Sequence, residues 1–277
     1  MRVAFVLSGG SSLGASQAGM LQALYEHGIR PDLLVGTSVG AINAAFIASR
    51  PPTIETAFAL QDIWRSLNRG DLFPANPIRA GLGLLGLRDH SVSAGGLRRL
   101  IRHHVDLERL EDAPISLHVI AADALTGDEV LLSAGSAVDA ILASAAVPGV
   151  FAPVKWESQL LIDGGVVNNT PISHAVELGA DRVIVLQALG SGPLQRPPRA
   201  AWAAGVIAVS RALTRRLADD IARYAGEAEL IVLSPSQLGA ILPTDFGRAD
   251  DLIAHGRREA DTLLGQRGRV VPLARAA

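Results

Sequence analysis

The fold of this chain is decided by the stretch Asp32-Leu33-Leu34-Val35-Gly36-Thr37-Ser38-Val39-Gly40-Ala41-Ile42-Asn43. Its apolar start predicts a buried β-strand, and its alanine-rich end predicts a helix. Between them stands Gly-x-Ser-x-Gly, the layout of a nucleophile elbow, a sharp strand-to-helix turn that exposes a serine Oγ. Gly36 and Gly40 flank Ser38 because a side chain at either position would clash in so tight a turn. The alternative is an ordinary Gly-rich βα loop that contains a serine.

A second strand, turn and helix precede this stretch. The apolar run Val3–Leu7 predicts a strand, and Ala15–His27 has the periodicity of a helix. The turn between them, Ser8-Gly9-Gly10-Ser11-Ser12-Leu13-Gly14, is not a dinucleotide-binding turn, because Ser11 stands where the second glycine is required. It is not a P-loop either, since the Lys-Ser/Thr pair is missing. We therefore expect a nest of backbone N–H groups for an oxyanion, or else a tight turn that only lets the helix pack on the sheet.

The rest of the chain alternates strands with helices, which is typical of an α/β protein. Two strands, 116–122 and 129–132, are close enough to pair as a hairpin. The last strand is apolar enough to rejoin the sheet, so we expect one domain. Segment 81–87 alternates Gly and Leu and predicts a mobile apolar flap, or else a buried loop or a short strained turn. The other predicted strands are 154–156, 159–162, 182–186 and 230–233, and the helices are 53–68, 93–104, 138–146, 172–178, 202–224 and 249–264.

Composition excludes several classes of protein. The 277 residues are 49% hydrophobic and carry a net charge of -2, so the chain can form a large core and offers no electrostatic attraction for nucleic acid. The absence of cysteine excludes disulfides, thiolate metal sites and cysteine nucleophiles. The N-terminal apolar run is too short for a signal peptide, and no run is long enough to span a membrane. We therefore expect a cytoplasmic protein without a transmembrane segment.

A serine nucleophile needs a base, and the sequence favours Asp163 for this role. None of the seven histidines lies in a Gly/Asp-rich loop at the end of a strand, whereas Asp163 ends the apolar run Leu160–Ile162 and precedes Gly164 and Gly165. A carboxylate with an ordinary pKa of about 3.9 is a weak base, so Asp163 needs a partly desolvated site or a hydrogen bond to Ser38. A structural aspartate that caps the next turn is the alternative.

These motifs, in this order, resemble those of the patatin-like phospholipases, serine acyl hydrolases that use a Ser–Asp dyad. The matching segments are 8–14, 36–40 and 163–165, flanked by Ala143–Pro148 and Val167–Pro171. The resemblance implies a three-layer α/β/α fold with a mostly parallel central sheet. It also implies a single domain over residues 1–277, with its core at about 3–190 and a helical and strand extension at about 200–265.

The resemblance further implies roles for individual residues. Ser38 would be the nucleophile and Asp163 the proton acceptor, with no cofactor and no metal. The substrates would be fatty-acyl esters of phospholipids, lysophospholipids or neutral lipids, reached by transient contact with a membrane surface. The backbone N–H groups of the oxyanion hole would be those of Gly9, Gly10, Ser11 and Ser12, and the supporting glycines Gly14, Gly36, Gly40, Gly164 and Gly165.

The first motif departs from the family pattern at two positions. Ser11 replaces a common glycine, and we expect it to be tolerated only if its φ is negative. Leu13 replaces a common Arg or Lys, and the lost cation would weaken the electrostatics near the oxyanion. Two alternatives therefore stay open: a lipid-binding or regulatory protein on a weakened scaffold, and an α/β-hydrolase esterase with a Ser-Asp-His triad.

Overall fold

The computed structural model describes residues 1–68, 70, 92–189, 201–235 and 245–266, and the side chains of all of these except 201–207. The Gly/Leu segment 81–87, His90 and the Pro-rich stretch 190–199 lie outside the described residues. The expectations stated for them are therefore not addressed by the structure.

The described strands form one sheet, in the order β5-β6-β3-β2-β1-β7-β8, with β4 paired to β3. Strands β1, β2, β3, β7 and β8 run parallel. The predicted hairpin of β3 and β4 is confirmed, and β8 rejoins the sheet beside β7 as expected. The bounds are β1 Val3–Leu7, β2 Leu33–Thr37, β3 Ser116–Asp123, β4 Glu129–Leu132, β5 Val154–Trp156, β6 Gln159–Asp163, β7 Arg182–Leu186 and β8 Glu229–Leu233.

The predicted helices are also present, and their ends differ from the predicted ones by no more than two residues. Among the helices of the described residues, none has a stretch that is both long and apolar enough to cross a bilayer. The bounds are α1 Ala15–Glu26, α2 Val39–Ala48, α3 Ile54–Ser66, α4 Gly95–His104, α5 Ala137–Ser144, α6 Ile172–Glu177, α7 Ala201–Tyr224 and α8 Ala249–Gly265.

Helices cover both faces of the sheet, which explains why its central strands are apolar without interruption. Phe5 and Leu7 of β1 pack into a core with α1, α2, α3, α4, α5 and α8. Ala4 and Val6 point the other way, into a second core with α6 and α7. The arrangement is a three-layer α/β/α fold, and the predicted fold class is confirmed.

Helices α1 and α8 cross closely because each has a glycine at the contact. A Cβ added to Gly19 would collide with the carbonyl oxygen of Ile253, and one added to Gly256 would collide with that of Ser16. Both obstacles are helix backbone, which cannot rotate away as a side chain can. This contact fixes α8 against the first helix of the chain.

We expect Gly256→Ala to lower the free energy of unfolding by about 2 kcal/mol, because the methyl group forces two backbones apart. In an open helix the same change is neutral or slightly stabilising. Gly265→Ala, at the end of the same helix and with nothing within 4 Å, is the matched control. Urea denaturation of both variants measures the difference, and equal stabilities would show that the helices are not in such close contact.

Candidate active site

Ser38 lies at a strained turn between β2 and α2. Its backbone has φ 55° and ψ −125°, a combination that L-residues rarely adopt. Gly36 permits the turn, since a Cβ there would lie 2.6 Å from the carbonyl oxygen of Gly40. Gly40 in turn lies against the carbonyl of Leu7, where a side chain would collide. The predicted sharp strand-to-helix turn is therefore present at Ser38.

Asp163 reaches Ser38 because β2 and β6 share one edge of β3. Strand β4 occupies the opposite edge of β3, so β2 and β6 must lie on the same edge. The pairing of β2 with β3 ends at Thr37 and Ile120, and beyond that point β6 pairs with β3. Asp163, the last residue of β6, pairs with Ala121, which directly follows Ile120. The ends of the two strands therefore meet, and Ser38 Oγ donates a hydrogen bond to Asp163 Oδ2 at 2.6 Å.

The Asp163 carboxylate is almost completely removed from solvent, with 5% of the residue exposed. Burial raises its pKa to about 6, against the opposing effect of hydrogen bonds from Ser38 and from the backbone N–H of Gly165. A base with this pKa accepts a proton far more readily than an ordinary aspartate and is still ionised at neutral pH. Gly164 must lack a side chain, because a Cβ there would collide with the carbonyl of Ile120.

The glycine turn is fastened to the loop that follows Asp163. The N–H of Gly9 donates to the carbonyl of Asn169 at 3.2 Å, and Asn169 Nδ2 donates to the carbonyl of Gly9 at 3.3 Å. Gly9, predicted as an oxyanion donor, thus has its N–H engaged elsewhere, and its position matters instead for close contact with Ser38. Within the described ranges no hydrogen bond is donated by the N–H of Gly10 or of Ser11.

The other residues of the turn pack inward. Ser12 is buried, and Gly14 lies against Val39, where a Cβ would be 2.7 Å from a methyl carbon. Leu13, which stands where the family commonly has a cation, is 7% exposed and belongs to the apolar core. At this position the chain therefore has apolar packing in the core and no charge.

One expectation about this turn is wrong. Ser11 was expected to need a negative φ, and its φ is +53°. Gly10 has φ 167° and ψ 10°, and a short 3₁₀ turn begins at Ser11. A small unbranched side chain is tolerated in the left-handed region better than a bulky or β-branched one.

Ser11 and Ser38 line an apolar cavity of about 90 Å³. Its walls include Phe46 and Trp64 from α2 and α3, and Ile101 from α4. His104, the last residue of α4, also lines it. Burial lowers the pKa of His104, helped by the nearby charges of His103 and Arg50, so the imidazole is neutral at pH 7.

No histidine of the described residues is hydrogen-bonded to Ser38 or Asp163. His118 is bonded to Ser116 and Ser133, and His174 to Glu129, so both have structural partners. Across residues 1–68, 92–189, 201–235 and 245–266, no three histidine or acidic side chains converge as metal ligands.

Comparison with known proteins relates the chain to one family. The family model Patatin-like phospholipase matches residues 5–176. An uncharacterized NTE family protein of Mycobacterium tuberculosis is 34% identical over 171 residues, which are 60% of this chain and 27% of that protein. A second one is 31% identical over 199 residues, 69% of this chain and 50% of that protein. The chain thus spans half or less of the length of these curated relatives.

A solved structure supports the same fold. The crystal structure of VipD from Legionella pneumophila aligns with a TM-score of 0.50 at 15% sequence identity, covering 95% of this chain and 66% of that one. At this identity the likeness concerns the fold alone.

Burial of Asp163 predicts a gain in stability when its charge is removed. Between pH 4 and 6 the unfolded chain loses the proton that the folded chain keeps, so wild-type stability falls as pH rises through this window. We expect Asp163→Asn to be more stable than the wild type by about 2 kcal/mol at pH 7.5, and the gain to shrink as pH falls from 6 toward 4.

Urea denaturation at several pH values tests this prediction. Asp123→Asn is the control, because hydrogen bonds from the backbone N–H groups of Leu125 and Thr126 lower the pKa of Asp123, and no gain is expected. A destabilised Asp163→Asn at pH 7.5 would contradict the predicted penalty for the buried charge.

Proposed function

Because the chain belongs to the patatin-like phospholipase family, we propose that it is a serine acyl hydrolase that cleaves fatty-acyl esters of phospholipids, lysophospholipids or related lipids. The observation that carries this proposal is the 2.6 Å hydrogen bond from Ser38 Oγ to the buried Asp163, at the wall of an apolar cavity. It joins a hydroxyl on a strained elbow to a carboxylate basic enough to accept its proton.

The reaction proceeds through an acyl-enzyme. Ser38 Oγ attacks the acyl carbonyl carbon while its proton moves to Asp163, and the carbonyl oxygen becomes an oxyanion. The N–H groups of Gly10 and Ser11 stabilise that oxyanion, an effect typically worth about 3 kcal/mol for each donor. The intermediate collapses, and the leaving alcohol takes the proton from Asp163. Water then gives a proton to Asp163 and attacks the acyl carbonyl carbon of the acyl-enzyme. The bond to Ser38 Oγ breaks, Oγ takes the proton back from Asp163, and the fatty acid is released.

The acyl chain occupies the cavity beside Ser38. Phe46, Trp64 and Ile101 offer it an apolar surface, and the transfer of a hydrocarbon chain from water to such a surface is favourable by about 0.8 kcal/mol for each buried CH₂. His104 is neutral there, so it does not place a charge against the chain. The same walls exclude bulk water, which strengthens the electrostatic interactions around the oxyanion.

The alternatives have less support. A Ser-Asp-His triad requires a histidine bonded to the acid or to the serine, and none of the described histidines makes such a bond. A purely lipid-binding role was suggested by Leu13, but this leucine is a member of the apolar core, and Ser38 is hydrogen-bonded to Asp163 in its presence. Neither a buried carboxylate nor a strained serine is needed for binding alone.

We expect Ser38→Ala to lower ester turnover by at least about 10³-fold, because the attacking atom is lost. Asp163→Asn should do the same, because an amide cannot accept the proton. For the wild type, kcat/KM should fall on the acidic side with an apparent pKa near 6, since protonated Asp163 cannot act as the base. A lipid-panel hydrolysis assay and labelling by a fluorophosphonate measure these effects.

Ser66→Ala is the control for these variants, since Ser66 is an exposed serine on α3 bonded to its own helix. Full turnover by Ser38→Ala, or failure of the folded wild type to be labelled at Ser38, would overturn the proposed function. Loss of activity on replacing one histidine, with Asp163→Asn still active, would favour the triad.

Contact with a lipid surface is carried by exposed apolar side chains around Asp163. Val147 lines the cavity and is 40% exposed, and the residue before it accepts the N–H of Asp163. Leu160 on β6 is 40% exposed, and Val166, three residues beyond Asp163, is 55% exposed. In the proposed function these three side chains insert among the lipid chains when the protein docks on a membrane.

We expect the double variant Leu160→Ser, Val166→Ser to hydrolyse zwitterionic phospholipid vesicles about tenfold more slowly, because less apolar surface is buried on docking. Turnover of a monomeric, water-soluble ester should change by less than about twofold, because the reacting groups are untouched. Leu263→Ser, an exposed leucine on α8, is the control. An equal loss on both substrates would show that these residues act within the site and not at a membrane.

A further inference from the structure

The hydroxyl of Ser144 joins the backbone of Ser38 to β3. Ser144 is the last residue of α5 and is fully buried. Its Oγ accepts a hydrogen bond from the N–H of Ser38 at 2.8 Å and donates one to the carbonyl of Ile120 at 2.6 Å. Both bonds lie in the interior, where an unpaired N–H or C=O is costly.

The hydroxyl occupies the place of a missing sheet bond. Directly after β3, the N–H of Ala124 donates to the carbonyl of Leu160 in β6, and at the end of β3 the N–H of Asp123 donates to the carbonyl of Asp128, just before β4. Because successive residues of a strand bond to opposite edges, the even-numbered residues of β3 face the edge shared by β2 and β6. The carbonyl of Ile120 therefore points toward β2. In a parallel ladder, a carbonyl accepts from the residue after its register partner.

The register partner of Ile120 is Thr37, so the expected donor is the N–H of Ser38. The Ser144 hydroxyl stands between these two groups and bonds to both. The ladder is thus broken by one inserted oxygen at the residue where the chain must leave the strand.

We infer that Ser144 is a positioning residue for the nucleophile, an inference that rests on the proposed function. Its hydroxyl donates a hydrogen bond to the carbonyl of Ile120 and accepts one from the N–H of Ser38. Because Ser38 is then not bonded directly to β3, its backbone need not stay extended. Ser38 can then adopt its positive φ and present Oγ to Asp163. Without the hydroxyl, a direct bond from Ser38 to Ile120 would lengthen β2 by one residue and turn Oγ away from Asp163.

Two variants of nearly equal shape isolate the hydroxyl. Ser144→Thr keeps the bridging oxygen and Ser144→Val replaces it with a methyl group, so both add the same volume to the buried site. We expect kcat for ester hydrolysis to be about tenfold lower in the valine variant than in the threonine variant, the effect of about one hydrogen bond, with KM unchanged. Labelling of Ser38 by a fluorophosphonate should slow by the same factor.

Crystal structures of the two variants separate this inference from the proposed function. In the threonine variant Ser38 Oγ should stay bonded to Asp163, and in the valine variant that bond should be lost in most molecules, in step with the roughly tenfold fall in kcat, as Ser38 N–H moves toward Ile120. This result supports the inference even if the wild type hydrolyses no ester, which would overturn only the proposed function. Where valine disturbs the fold, Ser144→Ala, which adds no volume, replaces it. An unchanged elbow without the hydroxyl, or equal kcat for the two variants, would overturn the inference.

Discussion

The site depends on one edge of β3, which two strands occupy in succession. Strand β2 runs parallel to β3 and ends its pairing at Ile120, and β6 runs antiparallel and ends its pairing at the next residue, Ala121. Ser38 and Asp163 are 125 residues apart in the chain, so only this shared register brings them together. A slip of one residue would move a side chain by about 3.3 Å and point it to the other face of the sheet. The 2.6 Å hydrogen bond would not survive such a slip.

The junction of the two strands contains features that a sheet normally avoids. Ser38 has a strained backbone, Asp163 places a carboxyl group in the interior, and a ladder bond is replaced by the hydroxyl of Ser144. Each of the first two costs about 1 to 3 kcal/mol, and such features persist only where the surroundings hold them firmly. Helices on both faces of the sheet, including the closely packed pair α1 and α8, provide that support.

The sequence was sufficient to predict the features that depend on neighbouring residues in the chain. Uninterrupted apolar runs predicted the strands, glycines on both sides of Ser38 indicated the elbow, and the position of Asp163 at the end of a strand singled it out. Features that depend on distant partners were not predictable. The N–H of Gly9 is taken by Asn169, which lies 160 residues away in the chain.

The roles of Ser144 and His104 were not assigned from the sequence, for different reasons, although the segment Ala143–Pro148 was matched to the family. Ser144 lies in a helix of small residues, where a hydroxyl cannot be distinguished by pattern from ordinary close packing. His104 follows the period of a basic helical face, and only the way in which α4 docks turns its ring toward the cavity. In both cases the informative quantity is the direction of a side chain in the folded protein, which periodicity alone does not specify.

The two oxygens of Asp163 explain how a carboxylate could do the work of a histidine in the proposed mechanism. In a triad, a third residue orients the histidine that accepts the proton. Here the N–H of Gly165 holds Oδ1 at 2.7 Å, which leaves Oδ2 directed at Ser38. Burial supplies the basicity that aspartate ordinarily lacks, by raising its pKa to about 6. In the proposed mechanism the N–H of Gly165 thus takes the place of the residue that orients the base in a triad. Burial of the carboxylate takes the place of the histidine, which is the stronger base in water.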